Sequence, residues 1–393
     1  RMLLLIQTVV LAFGAVFVYK IAKNIIKNKN LSLVFAIAYL LNPATQYTNL
    51  YDFHPVTLAT TFLLGAFYFL INKRYLWFLL LAVLSGITKE QVWIIISLLG
   101  FYGLISYKDT PYRRSILVKR IFFLTLSFAS IFFFYFLIWH AIPNALGSDH
   151  FALSYYSDFG DSPTNIMRNV FTSPHKLLST IFQKDQLSYL MQLFLPLGFL
   201  SFLSPTFLVF ALPDLFINLL SNKPQLHQIY YQYSATLTPF IFISSIFAIA
   251  NLKKWFPKIP ITVYAYCLLL TTLYSAYAFG PLPFSKSPNI DMFTKPQKNK
   301  DTITKFISNI PEKYSVAATN SVGSHLTHRQ KIYNLPLGIN KADFIVFLLD
   351  DHFAQPSLEA QYEMVEKIKN DKNYSEVLRI DNFIVFKKRY LVN

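Results

Sequence analysis

Residues 121–142 read Ile-Phe-Phe-Leu-Thr-Leu-Ser-Phe-Ala-Ser-Ile-Phe-Phe-Phe-Tyr-Phe-Leu-Ile-Trp-His-Ala-Ile, without a single Asp, Glu, Lys, Arg, Gly or Pro. A helix needs about 20 apolar residues to cross the hydrocarbon core of a bilayer, so this stretch predicts a membrane span. Similar runs lie on either side: 2–19, 31–50, 56–71, 75–88 and 92–106 before it, and 187–203, 206–220, 234–250 and 261–279 after it. Together they predict a polytopic α-helical membrane protein, with about eight or nine apolar helices in residues 1–280. Pro213 and Asp214 interrupt the run 206–220, which reads as a re-entrant or broken segment.

The whole chain carries the same signature, with 54% hydrophobic and 14% charged residues among 393. That is too apolar for an ordinary soluble domain. The single cysteine, Cys267, lies inside an apolar run, which rules out an intrachain disulfide or a cysteine metal site. The formal net charge is +16, but twenty of the thirty-six basic residues belong to the apolar region and cluster in its gaps. This is the pattern of membrane topology, and it argues against nucleic acid as a partner.

Cytoplasmic loops retain Lys and Arg. If the gap after the first run is inside, the inside gaps hold Lys20, Lys23, Lys27 and Lys29; Lys73 and Arg74; Lys108, Arg113, Arg114, Lys119 and Arg120; and Lys253, Lys254 and Lys258. Asp52, Glu90, Asp149, Asp158, Asp161 and Asp185 then fall outside, with Asp109 inside. The expected location is the cell membrane, multi-pass, with membrane lipids as surroundings and the C-terminal part extracytoplasmic.

Twelve of the twenty acidic residues lie in residues 281–393, which marks a composition break. We read 281–300 as a Pro- and Lys-rich linker and 301–393 as a small extracytoplasmic α/β domain. Strand-like runs occupy 314–319, 331–335 and 343–349, helical spacing occupies 356–370, and a hairpin turns at Asp381-Asn382 between 377–380 and 383–387.

Several polar groups stand where the membrane makes them costly. Asp52 and His54, in Tyr51-Asp52-Phe53-His54-Pro55, suit metal ligation, proton transfer or a hydrogen bond to substrate, and they also suit helix punctuation with Asp52 as a cap. Lys89-Glu90-Gln91 separates two apolar runs without Gly or Pro; Lys89 suits a phosphate and Glu90 a metal or a sugar hydroxyl, the alternative being side chains that snorkel to the interface. His227 and Tyr231 share an outer loop whose tyrosines fit an aromatic belt, and Asp214 is a carboxylate within an apolar run with Asn218 as a candidate partner. His325 and His328 have spacing for one side of a turn but no further ligand spacing, and read as a solvated or docking turn. No Walker loop, G-x-G-x-x-G or H-E-x-x-H occurs.

Four stretches carry a family resemblance: Leu3-Leu4-Leu5-Ile6-Gln7, Phe53-His54-Pro55, Lys89-Glu90, and the segment from Leu203-Ser204-Pro205 through Leu212-Pro213 and Asn218-Leu219-Leu220 to His227 and Tyr231. Val316-Ala317-Ala318-Thr319-Asn320 and His325-Leu326-x-x-Arg329 fit as well. The chain resembles a prokaryotic family of predicted membrane proteins of unknown function, itself distantly similar to the GT-C glycosyltransferases.

The resemblance implies a GT-C-like bundle and inverting transfer of a sugar from a polyprenyl-phosphate donor at the outer membrane face. An outer-loop carboxylate would serve as base or as ligand to a divalent metal, and basic residues would hold the lipid phosphate. Asp52, His54 and Glu90 become the catalytic candidates, and Lys89, His227, Tyr231 and Asp214 the substrate-binding ones. The usual carboxylate of that fold lies in the first outer loop, which here would precede Arg1 together with a helix. Gln91 departs from the acidic residue expected after Lys-Glu. Two rivals are a transporter or lipid flippase, which would line a continuous path, and a non-catalytic receptor or assembly protein.

Overall fold

A computed structural model describes residues 2–106, 113–147, 151–349 and 356–389. Arg1, Lys108, Asp109 and Asp149, which carry part of the charge pattern, lie outside the described residues. The chain divides into two units, Arg1–Ile290 and Asp291–Asn393.

The first unit opens with α1 (Met2–Ile26), α2 (Lys29–Leu41), α3 (Pro43–Leu50), α4 (Val56–Ile71), α5 (Tyr75–Gly86), α6 (Val92–Ser106) and α7 (Arg113–Phe136). A π turn, Leu137–Ala141, leads into α8 (Ile142–Leu146). Next come α9 (Pro163–Thr172), α10 (Pro174–Ile181), α11 (Lys184–Phe194), α12 (Leu212–Leu219), α13 (Thr238–Trp255) and α14 (Ile261–Phe279).

Among the described residues, three helices are long and apolar enough to cross a membrane: Met2–Ile26, Leu117–Ala145 and Ile261–Phe279. The apolar helices α2, α4, α5 and α6 are shorter. The expected eight or nine apolar helices thus include several that are shorter than a full span, because some of the apolar runs are broken. Within Leu117–Ala145 only 17% of the most apolar window is buried, and Leu117, Phe128 and Phe132 are each at least 60% exposed. Such an exposed apolar face suits a lipid environment rather than water.

The breaks have local causes. The expected run 31–50 divides at Asn42, whose side chain accepts from the Thr45 N–H at 3.1 Å and caps α3 with Pro43 at its first position. The expected run 187–203 ends as a helix at Phe194. Pro196 and the left-handed Gly198 (φ 58°) and Phe199 (φ 57°) turn it into short 3-10 segments. The run 206–220 becomes a 3-10 segment, Pro205–Phe210, followed by the eight-residue α12, as the Pro213 and Asp214 interruption predicts.

Irregular backbone inside a membrane unit needs internal hydrogen-bond partners. Ser244 on α13 donates to the carbonyls of Ser201 (2.7 Å) and Ser204 (2.6 Å), and Thr272 on α14 donates to that of Pro196 (3.0 Å). Phe207 stacks on Phe247 with ring centroids 4.0 Å apart, which seats the broken segment against α13.

The basic gaps gather at one end of the unit. Asn24 donates to Asn72 Oδ1 at 3.2 Å, Lys253 reaches the Ile26 carbonyl at 3.5 Å, and Lys119 lies 5.9 Å over the Tyr75 ring. Gln7 stands about 26 Å from Asn24 along α1, at 1.5 Å rise per residue. The loop at residues 51–55 is bound to Gln7, so it belongs to the opposite end.

The second unit has α15 (Asp291–Thr294), α16 (Lys300–Ser308), β1 (Val316–Ala318), α17 (Asn320–Gly323), β2 (Ile332–Asn334), β3 (Phe344–Leu348), α18 (Leu358–Lys369), β4 (Tyr374–Ile380) and β5 (Phe383–Lys388). The sheet order is β2-β1-β3-β5-β4, with β1 parallel to β2 and β3, and β5 antiparallel to β3 and β4. The three strand-like runs, the helix and the terminal hairpin all form where their patterns predict. Asp381 takes φ 52°, as a tight hairpin turn requires. Buried Val346, Phe347, Val385 and Phe386 fill the two sides of the sheet.

Candidate functional site

The loop that carries His54 is held by one side chain. Gln7 is fully buried in α1, and its amide nitrogen lies 3.2 Å from each of the carbonyl oxygens of Thr48, Asn49 and Tyr51. Its amide oxygen accepts from Thr57 in the first turn of α4 at 3.0 Å. Both ends of the Tyr51–Pro55 turn are thereby anchored to α1.

Within that turn, His54 Nδ1 lies 2.9 Å from the Asp52 carbonyl oxygen. A carbonyl only accepts, so Nδ1 carries a proton, and in the neutral ring Nε2 is the acceptor atom. The imidazole stacks on Tyr51 at 5.3 Å and 20°, and Tyr51 meets Tyr231 edge-on at 5.1 Å.

Lys89, Glu90 and Gln91 form the turn that leads into α6, where their carbonyls accept from Val92, Trp93 and Ile94. Negative charge is favoured at a helix N-terminus, which suits Glu90. Lys89 Nζ and Glu90 Oε1 are 2.9 Å apart, the lysine 40% and the glutamate 15% exposed.

The broken segment supplies the opposing wall. Asp214 on α12 is buried and accepts from the Thr236 hydroxyl. Asn218, expected as the partner of Asp214, instead donates to the Tyr189 hydroxyl and the Tyr233 carbonyl, each at 3.0 Å. Thr60 on α4 donates to the Ala235 carbonyl at 2.7 Å, and the Thr48 and Ser234 hydroxyls are 3.3 Å apart. These bonds hold residues 234–236 beside the His54 loop.

The result is one cavity of about 580 Å³ lined by His54, Lys89, Glu90, Asn218, Tyr233 and Thr236 among others. Tyr155 and Tyr156 close it from a 3-10 turn at Phe151–Tyr156. The Tyr156 hydroxyl donates to the Ile217 carbonyl at 3.0 Å, and Lys223 lies 4.2 Å over the Tyr155 ring. Burial, and then the charge of Asp214, raise the Tyr156 phenol, which stays a donor.

Of the expected site residues, His54, Lys89 and Glu90 therefore line one cavity. Asp214 reaches it through Thr236. His227 is buried next to the lining residue Leu226, and burial lowers its imidazole against the opposing pull of the Asn218 backbone and of Asp185. Tyr231 supports His54 through Tyr51. Asp52 is exposed and contributes its backbone carbonyl to the site. Tyr155, Tyr156 and Gln232 were not singled out from the sequence, where tyrosines near an interface read as an aromatic belt. Gln7 was noted only as part of a short motif.

Among the described residues, no group of three or more His, Cys, Asp or Glu gathers to hold a metal ion. The cavity offers a carboxylate base, an ammonium that can meet an anion, an imidazole acceptor and several hydroxyl and amide groups for a polar substrate. The family described as Predicted membrane protein (DUF2079) matches residues 1–386. No curated protein matches the chain.

Proposed function

The chain belongs to this family of predicted membrane proteins, and from that premise we propose that it is a transferase moving a sugar from a polyprenyl-phosphate donor to an acceptor hydroxyl at the outer membrane face. The observation that carries the reading is the meeting of the Lys89–Glu90 pair with His54 in one cavity, at the end of the helical unit away from its basic gaps. We assign that end to the extracytoplasmic side because the Lys- and Arg-bearing gaps gather at the other end, and we place residues 281–393 on the same side as a further part of the proposal.

In this reading the donor phosphate draws Lys89 from Glu90, because a phosphate is the stronger partner for an ammonium. Glu90, released from the ion pair, accepts the acceptor's hydroxyl proton. The acceptor oxygen forms its bond to the sugar's anomeric carbon from the face opposite the phosphate, and the carbon–oxygen bond to phosphate breaks. The electron pair leaves with polyprenyl phosphate, whose charge Lys89 meets. His54 Nε2 accepts a hydrogen bond from a sugar or acceptor hydroxyl, and Asn218 and Thr236 flank the polar substrate. The shorter apolar helices beside the cavity are where the polyprenyl chain would enter from lipid.

The test is transfer from a panel of labelled polyprenyl-phosphate sugars by the full-length protein in lipid, with Glu90→Gln and His54→Ala compared. Loss of transfer in folded variants supports the reading. A folded wild type that transfers from no donor overturns it.

A further inference from the structure

In the second unit the parallel strands run in the order β2-β1-β3. The chain leaves β1 towards β2 on one side and returns from β2 to β3 on the other, so the strand order reverses at β1. In open α/β sheets ligands bind in the crevice outside the carboxyl ends of the strands at such a reversal. A cavity of about 500 Å³ lies against one face of the sheet beside this reversal: Ser321 and His325 follow β1 and Leu348 ends β3, while Ile310 and Glu312, which precede β1, line its other end.

Its lining is two-sided in character. Ile303, Ile307, Val322 and Leu326 form an apolar floor that is otherwise buried in the core of the unit. Lys300, His325, His328 and Arg329 add cationic or titratable donors, against one carboxylate, Glu312. Arg329 is already committed: its guanidinium donates to the carbonyls of Ile310, Pro311, Tyr314 and Leu326 at 3.1–3.3 Å. Carbonyls satisfy its protons but leave its charge, so it ties the loop together while making the cavity positive. Lys300, His325 and His328 are exposed and can turn their donors to a ligand.

We propose that this cavity binds a small phosphate monoester, the phosphate on Lys300, His325 and His328 and the organic part on the apolar floor. Three separate donor side chains suit a three-oxygen phosphate better than a two-oxygen carboxylate. The inference is independent of the transferase reading, since it uses no residue of the first unit.

The probe is phenyl phosphate, titrated calorimetrically into the full-length protein in detergent, with micelle blanks and with inorganic phosphate and phenol as the separate halves. We expect one site per chain that binds phenyl phosphate at least about tenfold tighter than either half. Lys300→Gln combined with His325→Gln weakens it about tenfold or more, and so does Ser321→Trp, which fills the crevice. Lys89→Gln leaves it unchanged. The proposal is overturned by the absence of saturable binding, by retained affinity in both cavity variants, or by loss of binding in Lys89→Gln, which would assign the phosphate to the other cavity.

Discussion

The Thr57 hydroxyl donates to the Gln7 carboxamide oxygen at 3.0 Å, which joins the first turn of α4 to α1 across the loop that carries His54. Because Gln7 also faces three carbonyls at the end of α3 and in the turn, this one side chain sets the position of the loop. Gln7→Leu removes two N–H donors shared among one buried and two part-buried carbonyls, at about 1–3 kcal/mol for each hydrogen bond lost where no water replaces it. We expect a lower thermal midpoint in detergent and faster proteolysis at 51–55. An unchanged midpoint would remove Gln7 from this role.

Removing the Lys89–Glu90 pair should affect chemistry far more than folding. The lysine is 40% exposed, so the ion pair contributes no more than about 1 kcal/mol to stability. In the proposed transfer Glu90 is the general base, and its removal in Glu90→Gln is expected to cost about 10²–10⁴ in rate. Transfer kinetics measured beside thermal unfolding separate the two effects. A variant that loses stability and rate in proportion would make the pair structural.

Ser244 is the donor for two carbonyls of the broken segment. Ser244→Ala should cost about 1–2 kcal/mol, the scale of polar contacts between membrane helices. Unfolding in a mild detergent checks this. Equal stability would mean that the Ser201 and Ser204 carbonyls find other donors.

The orientation is testable because Cys267 is the chain's single cysteine. In a Cys267→Ser background, a cysteine at Asp52 should react with a membrane-impermeant maleimide from outside intact cells. One at Lys73 should react only after permeabilisation. The reverse pattern would invert the topology and put the cavity on the cytoplasmic face.

Burial depresses the His227 imidazole below its ordinary value of about 6.5. The folded state then binds fewer protons than the unfolded state between the depressed value and about 6.5, so stability is full above that window and falls as pH drops through it. His227→Gln should flatten the fall when unfolding is followed between pH 7.5 and about 5. A wild-type profile already flat in that range would contradict the shift.

Much of the second unit was legible from the sequence. Short β-branched and aromatic runs, a helix with one apolar face and a two-residue turn at Asp381-Asn382 are local patterns, and local backbone preferences realised them. The helical unit was legible in kind but not in detail. Apolar run length alone merged α2 with α3 and counted 187–203 as a span, although Asn42-Pro43 and Pro196 with Gly198 carried the breaking signals. His54, Lys89 and Glu90, which line one cavity, stand out in the sequence because charge at a membrane boundary is costly. Tyr155 and Tyr156 carry no charge and do not stand out, and Gln7 enters the sequence reading only as part of a short motif.

By itself, then, the sequence determined that this is a membrane protein with a small α/β unit at its C-terminal end, since apolar length, loop charge and alternation act over neighbouring residues. Only the tertiary structure decided that residues 54, 89, 90, 218 and 236 share a cavity, that Thr236 and not Asn218 holds Asp214, and that the basic gaps meet at the far end. Those relations join positions far apart along the chain, and they exist only once helices pack and buried polar groups must find partners.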